Sequence, residues 1–281
     1  LFHLPGTAAS ILLLGLVGGY PVGAQAVAVQ YKQKKISKQD AEHLILFCNN
    51  AGPAFIFGVV SEKLFQSVLP GAMLYVIHIV SAALIGILYR SSLSADIKHP
   101  VAQFKKPSFS SALTYSVRQA GQTALQVCTF VVFFSVLIGY LRTFLPHAWS
   151  NFLFVKLILG SLELASGAWI LEDVTNKAVS FCVMAFLLGW GGVCVSFQTI
   201  SILDETDLQK NRYLFCKLLQ GLISLLLAAA IVPLLPLSGQ IVLYPVRFIR
   251  PAGFAVIALV CTFMLTLFLK KTSGKTGRNQ L

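Results

Sequence analysis

The residues in this sequence that could do chemistry are a few polar side chains, and several glycine or proline breaks, set within long apolar runs. Glu163 is the only acidic residue well inside such a run. A carboxylate there is costly and marks a functional site by default. It could bind a coupling cation, relay a proton or cap a helix break that follows it. Asn49 and Asn50 stand at the break Asn49-Asn50-Ala51-Gly52-Pro53, where amides can satisfy freed backbone groups or reach a ligand. Two more breaks, Gly18-Gly19-Tyr20-Pro21 and Gly189-Trp190-Gly191-Gly192, are followed by Gln25 and Gln198. These glutamines point inward if their apolar neighbours face lipid, although ordinary helix–helix hydrogen bonding explains them equally well. Lipid cannot satisfy the N–H and C=O groups freed at a break, so breaks are tolerated where they line a cavity or pack inside protein. Breaks at matching places in two halves of a chain point to a substrate site. The substrate-binding candidates are therefore Gly19, Tyr20, Pro21, Gln25, Asn49, Asn50, Gly52, Gly191, Gly192 and Gln198, with Ser166 from the small-residue stretch Ala165-Ser166-Gly167. Glu163 is assigned an ion-coupling or structural role.

Other polar groups have plainer readings. Lys156 suits a side chain snorkelling to a membrane face, and His78, alone in an apolar run, suits packing. Arg118, Gln122 and Gln126 form an i, i+4, i+8 stripe that faces protein or water rather than lipid. The six cysteines lie in apolar stretches without a CxxC pair and read as small buried hydrophobes. There is no HExxH, GxSxG or GxxxxGK[ST] motif and no supported carboxylate pair, so neither an enzyme, a metal site nor a cofactor is expected.

The elements that must position these groups follow from composition. Of 281 residues 56% are hydrophobic and 11% charged, against about 25% charged in soluble domains. This is an integral membrane protein. Its formal net charge of +12 falls mainly between apolar runs, which suits loops and lipid headgroups and gives no nucleic-acid pattern. Clear spans are Val68 to Tyr89, Leu113 to Leu145, Tyr213 to Leu235 and Pro251 to Leu269. Ala8 to Tyr31, Ala41 to Val60 and Ala178 to Leu203 are apolar but broken, and Asn151 to Leu171 carries Lys156 and Glu163. Aligning GGYPVGAQ (Gly18 to Gln25) with GGVCVSFQ (Gly191 to Gln198) pairs two broken spans. Each is followed by a charged connector, a segment with Leu-Phe-Cys, and a further strong span. The expected domains are a first repeat over 1–89, a polar connector over 90–112, a second repeat over 113–269 and a basic tail over 270–281. If Asn151 to Leu171 crosses the membrane, five crossings separate the starts of the two broken helices and the repeats are inverted, the expected arrangement. If it is re-entrant they are parallel, unless Ala41 to Val60 is re-entrant too.

The chain also resembles a known family. LFHLPG, GYPVGAQ and ISKQDAEHLILFCNNAGPAFIFG in its first 58 residues are similar to the YlbJ/SpoVV sporulation integral membrane proteins, which carry the nucleoside-recognition GATE domain. FSVL (Phe134 to Leu137), GSLELASG (Gly160 to Gly167) and LLGWGGVCVSFQTISIL (Leu187 to Leu203) agree. The resemblance implies an all-α polytopic membrane protein with two GATE-type repeats of broken or re-entrant helices, the first truncated at its N-terminus. It implies a distant relation to concentrative nucleoside transporters and dipicolinate export across the outer forespore membrane of a sporulating bacterium. The partners expected are that small-molecule substrate, the bilayer, and H+ or Na+ as coupling ion. The alternatives are a carrier of nucleosides or other organic anions, and a non-transporting scaffold in spore-envelope assembly.

Overall fold

Long apolar runs closed by polar caps dictate helices, and every regular element among the described residues is helical. The computed structural model describes residues 2–89, 108–150 and 152–234. The expected span Pro251 to Leu269, the basic tail and most of the 90–112 connector lie outside them.

The first elements are α1 (Ala8–Gly18) and α2 (Val22–Lys32), followed by α3 (Lys38–Cys48) and α4 (Pro53–Phe55), which continues as a π-helix over Ile56–Phe65. Then come α5 (Val68–Leu88), α6 (Phe109–Phe144), α7 (His147–Ser150), α8 (Leu153–Leu162) and α9 (Leu164–Glu172). α10 (Lys177–Trp190), α11 (Gly192–Leu203) and α12 (Asn211–Ile231) complete the set. Starts are set by side-chain caps: Ser37 Oγ accepts from Asp40 N–H at α3, and Asn176 Oδ1 from Ala178 and Val179 N–H at α10. Five segments are long and apolar enough to cross a membrane: Lys38–Phe65, Val68–Leu88, Phe109–Phe144, Lys177–Leu203 and Asn211–Ile231.

Two of the apolar runs, the broken Ala8 to Tyr31 and Asn151 to Leu171, fold back. A Cβ on Gly15 would lie 3.3 Å from the Cα of Gly23, whereas eight residues of straight helix would separate them by about 12 Å. A Cβ on Gly160 would lie 3.0 Å from the Cα of Gly167, against about 10 Å in a straight helix. Thus α1–α2 and α8–α9 are helical hairpins, each arm only about half a bilayer long. Of the two alternatives for 151–171, the structure has the re-entrant one, and the two Gly-Gly motifs are not equivalent. Gly18-Gly19 is a hairpin tip, Gly191-Gly192 is the break of a crossing span, and they occupy different places in the order of elements. That order is hairpin, two-piece span, long helix, met first as α1–α2, Lys38–Phe65 and α5, and again as α8–α9, Lys177–Leu203 and α12. The long α6 runs between them.

Ion pairs identify which ends share a face. Lys32 pairs with Glu205, Lys38 with Asp207, and Tyr31 OH donates to Asp207 Oδ1, so the end of α2, the start of α3 and the α11–α12 connector meet. Lys38, then Tyr31, holds the Asp207 carboxyl below the usual carboxylate range. At the other face the Lys63 ammonium stacks 3.8 Å above the Trp169 ring, and Arg142 shares a cavity with Glu172 and Asp173. Three crossings lie between the hairpins, which therefore enter from opposite faces.

Candidate substrate site

The two hairpin tips and the two breaks in crossing spans converge. Gly19 has φ +77°, and a Cβ there would lie 2.9 Å from Gly52 N, so the first tip sits directly on the first break. Tyr20 from the same tip donates its hydroxyl to Leu188 O (2.9 Å) and lies against Gly191. Gly192, at φ +88°, faces Leu162 and Leu164 at the tip of the second hairpin. Side chains at Gly19, Gly191 or Gly192 would need strained left-handed backbone. Between these pieces lies a cavity of about 270 Å³ lined from all four breaks: Gly19 and Tyr20, Gly52 and Phe55, Glu163 and Leu164, Cys194 and Gln198, closed by Val127 and Val131 of α6.

Three helical segments begin at this cavity without a side-chain cap, with Pro21, Gly52 and Gly191 as their N-cap residues. The dipole ends of these segments favour a negative ligand group. The fourth start, that of α9, is already occupied. Glu163 accepts from Ala165 N–H (2.8 Å) through Oε1 and from Ser166 N–H (2.6 Å) through Oε2. Of the roles open to Glu163, capping is the one its geometry displays.

Five of the expected residues, Gly19, Tyr20, Gly52, Glu163 and Gln198, line the cavity. Pro21, Gly191 and Gly192 adjoin lining segments in the chain but do not themselves line the cavity. Four more of the expected residues lie outside this cavity. Gln25 accepts instead from Thr123 Oγ1 of α6 and lines a separate cavity with Gln119, Gln122 and Lys32, because α2 turns away from the tip. Ser166 opens onto a larger cavity along the flank of the second hairpin. Asn49 and Asn50 are wholly buried behind the break and hold it in place: Asn49 Nδ2 donates to Thr199 Oγ1 and Tyr213 OH, and Asn50 Nδ2 to Phe47 O.

That buried layer holds the residues missed in the sequence. Lys217 on α12, fully buried, donates from Nζ to Asn49 O (3.0 Å) and Gln220 Oε1 (2.7 Å), and stands 5.2 Å from the Tyr20 ring centre. Gln220 Nε2 donates in turn to Asn50 Oδ1 (3.2 Å). No acidic side chain pairs with Lys217 among the described residues. His78 does more than pack, since its Nε2 accepts from Ala51 N–H (3.0 Å) and so satisfies a donor freed by the break. Asn49 Oδ1 and His78 Nδ1 are buried without protein partners. Lys156, expected to snorkel from near a membrane face, lies in the first turn of α8 with most of its surface covered. Among the cysteines, Cys48, Cys194 and Cys216 are buried as expected, but Cys128 is exposed on α6 and Cys261 lies outside the described residues.

The chain is 28% identical to the sporulation integral membrane protein YlbJ of Bacillus subtilis (strain 168), over 79% of this chain and 63% of that relative. The chain therefore spans somewhat less than two thirds of the length of the curated relative it matches. No protein-family model matches the chain, and no solved structure matches it.

Proposed function

The chain belongs to the YlbJ family, and from that premise we propose that it is a membrane carrier of a small organic anion rather than an enzyme. The single observation that carries this reading is the cavity where four helix breaks meet and three uncapped N-termini begin. Its volume of about 270 Å³ lies near the low end of small-molecule pockets, roughly 300–1,000 Å³. A cargo of about a dozen heavy atoms suits it, and aromatic dicarboxylates are of that size. With the name of the relative, this makes dipicolinate, moved across the outer forespore membrane during sporulation, the cargo and place we propose. The Glu163 carboxylate is held by N–H groups of its own hairpin, which offset part of its charge toward that cargo. We read the two sets of hairpin, two-piece span and long helix as inverted repeats of the GATE type. Na+ is the less fitting coupling ion, because the Lys217 ammonium already holds the carbonyl of Asn49 at the first break.

The test is uptake of labelled dipicolinate into liposomes holding the full-length protein, with binding measured in parallel. Saturable uptake supports the reading. If nucleosides or other organic anions compete more strongly, the cargo changes and the carrier stands. Neither uptake nor binding of any of these, together with tolerance of bulky substitutions at Gly19 and Gly192, would leave the scaffold reading in its place.

A further inference from the structure

A cavity larger than the one where the breaks meet lies elsewhere among the described residues. It has a volume of about 770 Å³ and lies between the last turns of α6 and the flank of the second hairpin, where it is lined by Arg142, Lys156, Ser166, Glu172 and Asp173. Lys156 is the unusual member. It is only 7% exposed, yet its ammonium finds no hydrogen-bond acceptor or carboxylate among the described residues. The side chain is covered along most of its length, and its ammonium, without a protein partner, opens into a space large enough to hold an anion. Glu172 and Asp173 do not supply that partner. Both are exposed at the end of α9, where water screens them. Arg142 is exposed as well, and water screens it in the same way.

The position of this cavity connects it to the first. On α6, Val127 and Val131 line the site between the breaks, and Ser135, Ile138 and Arg142 line the larger cavity. Steps of three and four residues place all five on one helical face. On the hairpin, Ala165 lines the one cavity and Ser166 the other. We propose that the larger cavity is a second anion site, a vestibule in which Lys156 receives a carboxylate of the cargo before or after its stay between the breaks. This rests on the carrier reading for the identity of the anion, and not for the existence of the site.

The test reads binding apart from transport. The full-length protein is purified in detergent free of anionic lipid, and affinity for pyridine-2,6-dicarboxylate is measured by calorimetry for wild type, Lys156→Gln, Lys156→Arg and, as a control at the other face, Lys32→Gln. Loss of a charge-assisted hydrogen bond predicts that Lys156→Gln weakens one class of sites about tenfold or more. Lys156→Arg and Lys32→Gln should stay close to wild type. Equal affinity in wild type and Lys156→Gln overturns the vestibule, whatever the uptake assay reports. So does abolition of the Lys156-dependent binding by added phosphatidylglycerol, which would assign the cavity to a lipid headgroup. Lys156-dependent binding without uptake in liposomes would keep the site and reject the carrier. Circular dichroism and size exclusion establish that each variant is folded before its affinity is compared.

Discussion

Glu163 and Lys217 are both buried charges at the site between the breaks, and their surroundings separate them. Both carboxylate oxygens of Glu163 are spent on N–H groups of α9. Replacing such a cap by alanine should cost about 0.5–2 kcal/mol, and Glu163→Gln, which keeps one acceptor, should cost less. Thermal unfolding of the purified variants checks this order. If the role is capping alone, the pH profile of uptake in Glu163→Gln follows that of wild type. Lys217 inverts the usual expectation for a pair. Lys217→Met removes the charge and leaves two neutral acceptors, Asn49 O and Gln220 Oε1, without their donor, a loss of about 1–3 kcal/mol. Gln220→Leu leaves the ammonium itself under-solvated and should be the more destabilising of the two in the same unfolding assay. Glu163 was legible because a lone carboxylate in an apolar run has few explanations. Lys217 was missed because a lysine seven residues into a helix passes for a snorkelling one. The signal was nevertheless present: Tyr213, Lys217, Gln220 and Ser224 recur at i, i+4, i+7 and i+11, a polar stripe that lipid would not tolerate.

Among the elements, glycines divide into those that let helices fold back and those that do nothing of the kind. A Cβ on Gly15 would lie 1.8 Å from Cys48 O, and one on Gly23 2.5 Å from the same oxygen, so the first hairpin is pressed against the end of α3 at both positions. Gly15→Ala must push the hairpin off the break, at a cost typical of overpacking, about 1–3 kcal/mol. It should also weaken substrate binding. Gly121 and Gly139 of α6 meet nothing within 4 Å. Gly121→Ala should therefore be neutral or stabilising, by up to about 1 kcal/mol, since a helix-interior glycine gives up conformational entropy for no contact. Unfolding of the three proteins side by side decides it. The positions of the breaks were legible, because glycine and proline interrupt a hydrophobic run wherever they fall. Whether the chain continues across or turns back at a break was not. A break after half a bilayer of helix has the same local sequence in either case, and only the long-range seats, such as Cys48 O for Gly15 and Leu187 for Gly160, distinguish them.

At the scale of the whole molecule the hairpins change the count of crossings, and with it the charge balance. Read from the sequence, the Lys and Arg count is similar on both faces whether 151–171 crosses or is re-entrant, so the sequence leaves orientation open. With both hairpins returning to the face they entered, the described residues become lopsided. Lys32, Lys34, Lys35, Lys38, Lys210 and Arg212 lie at the ends gathered by the Lys32–Glu205 and Lys38–Asp207 pairs. Lys63, Arg142 and Lys177 lie at the ends gathered around the vestibule. Short connectors rich in Lys and Arg stay on the side of synthesis, and acidic residues contribute little to that choice. The first face should therefore be cytoplasmic, and the vestibule should open on the far side of the membrane. Single cysteines at Lys34 and Thr206 should resist a membrane-impermeant maleimide in intact cells and react in inverted vesicles. A cysteine at Glu172 should do the opposite, with native Cys128 replaced to remove the exposed background thiol. Labelling of Thr206→Cys from outside intact cells would reverse the orientation while leaving the fold untouched. It would also turn the vestibule to the cytoplasm, so that Lys156 would meet the anion before the breaks do in an exporter, and after them in an importer.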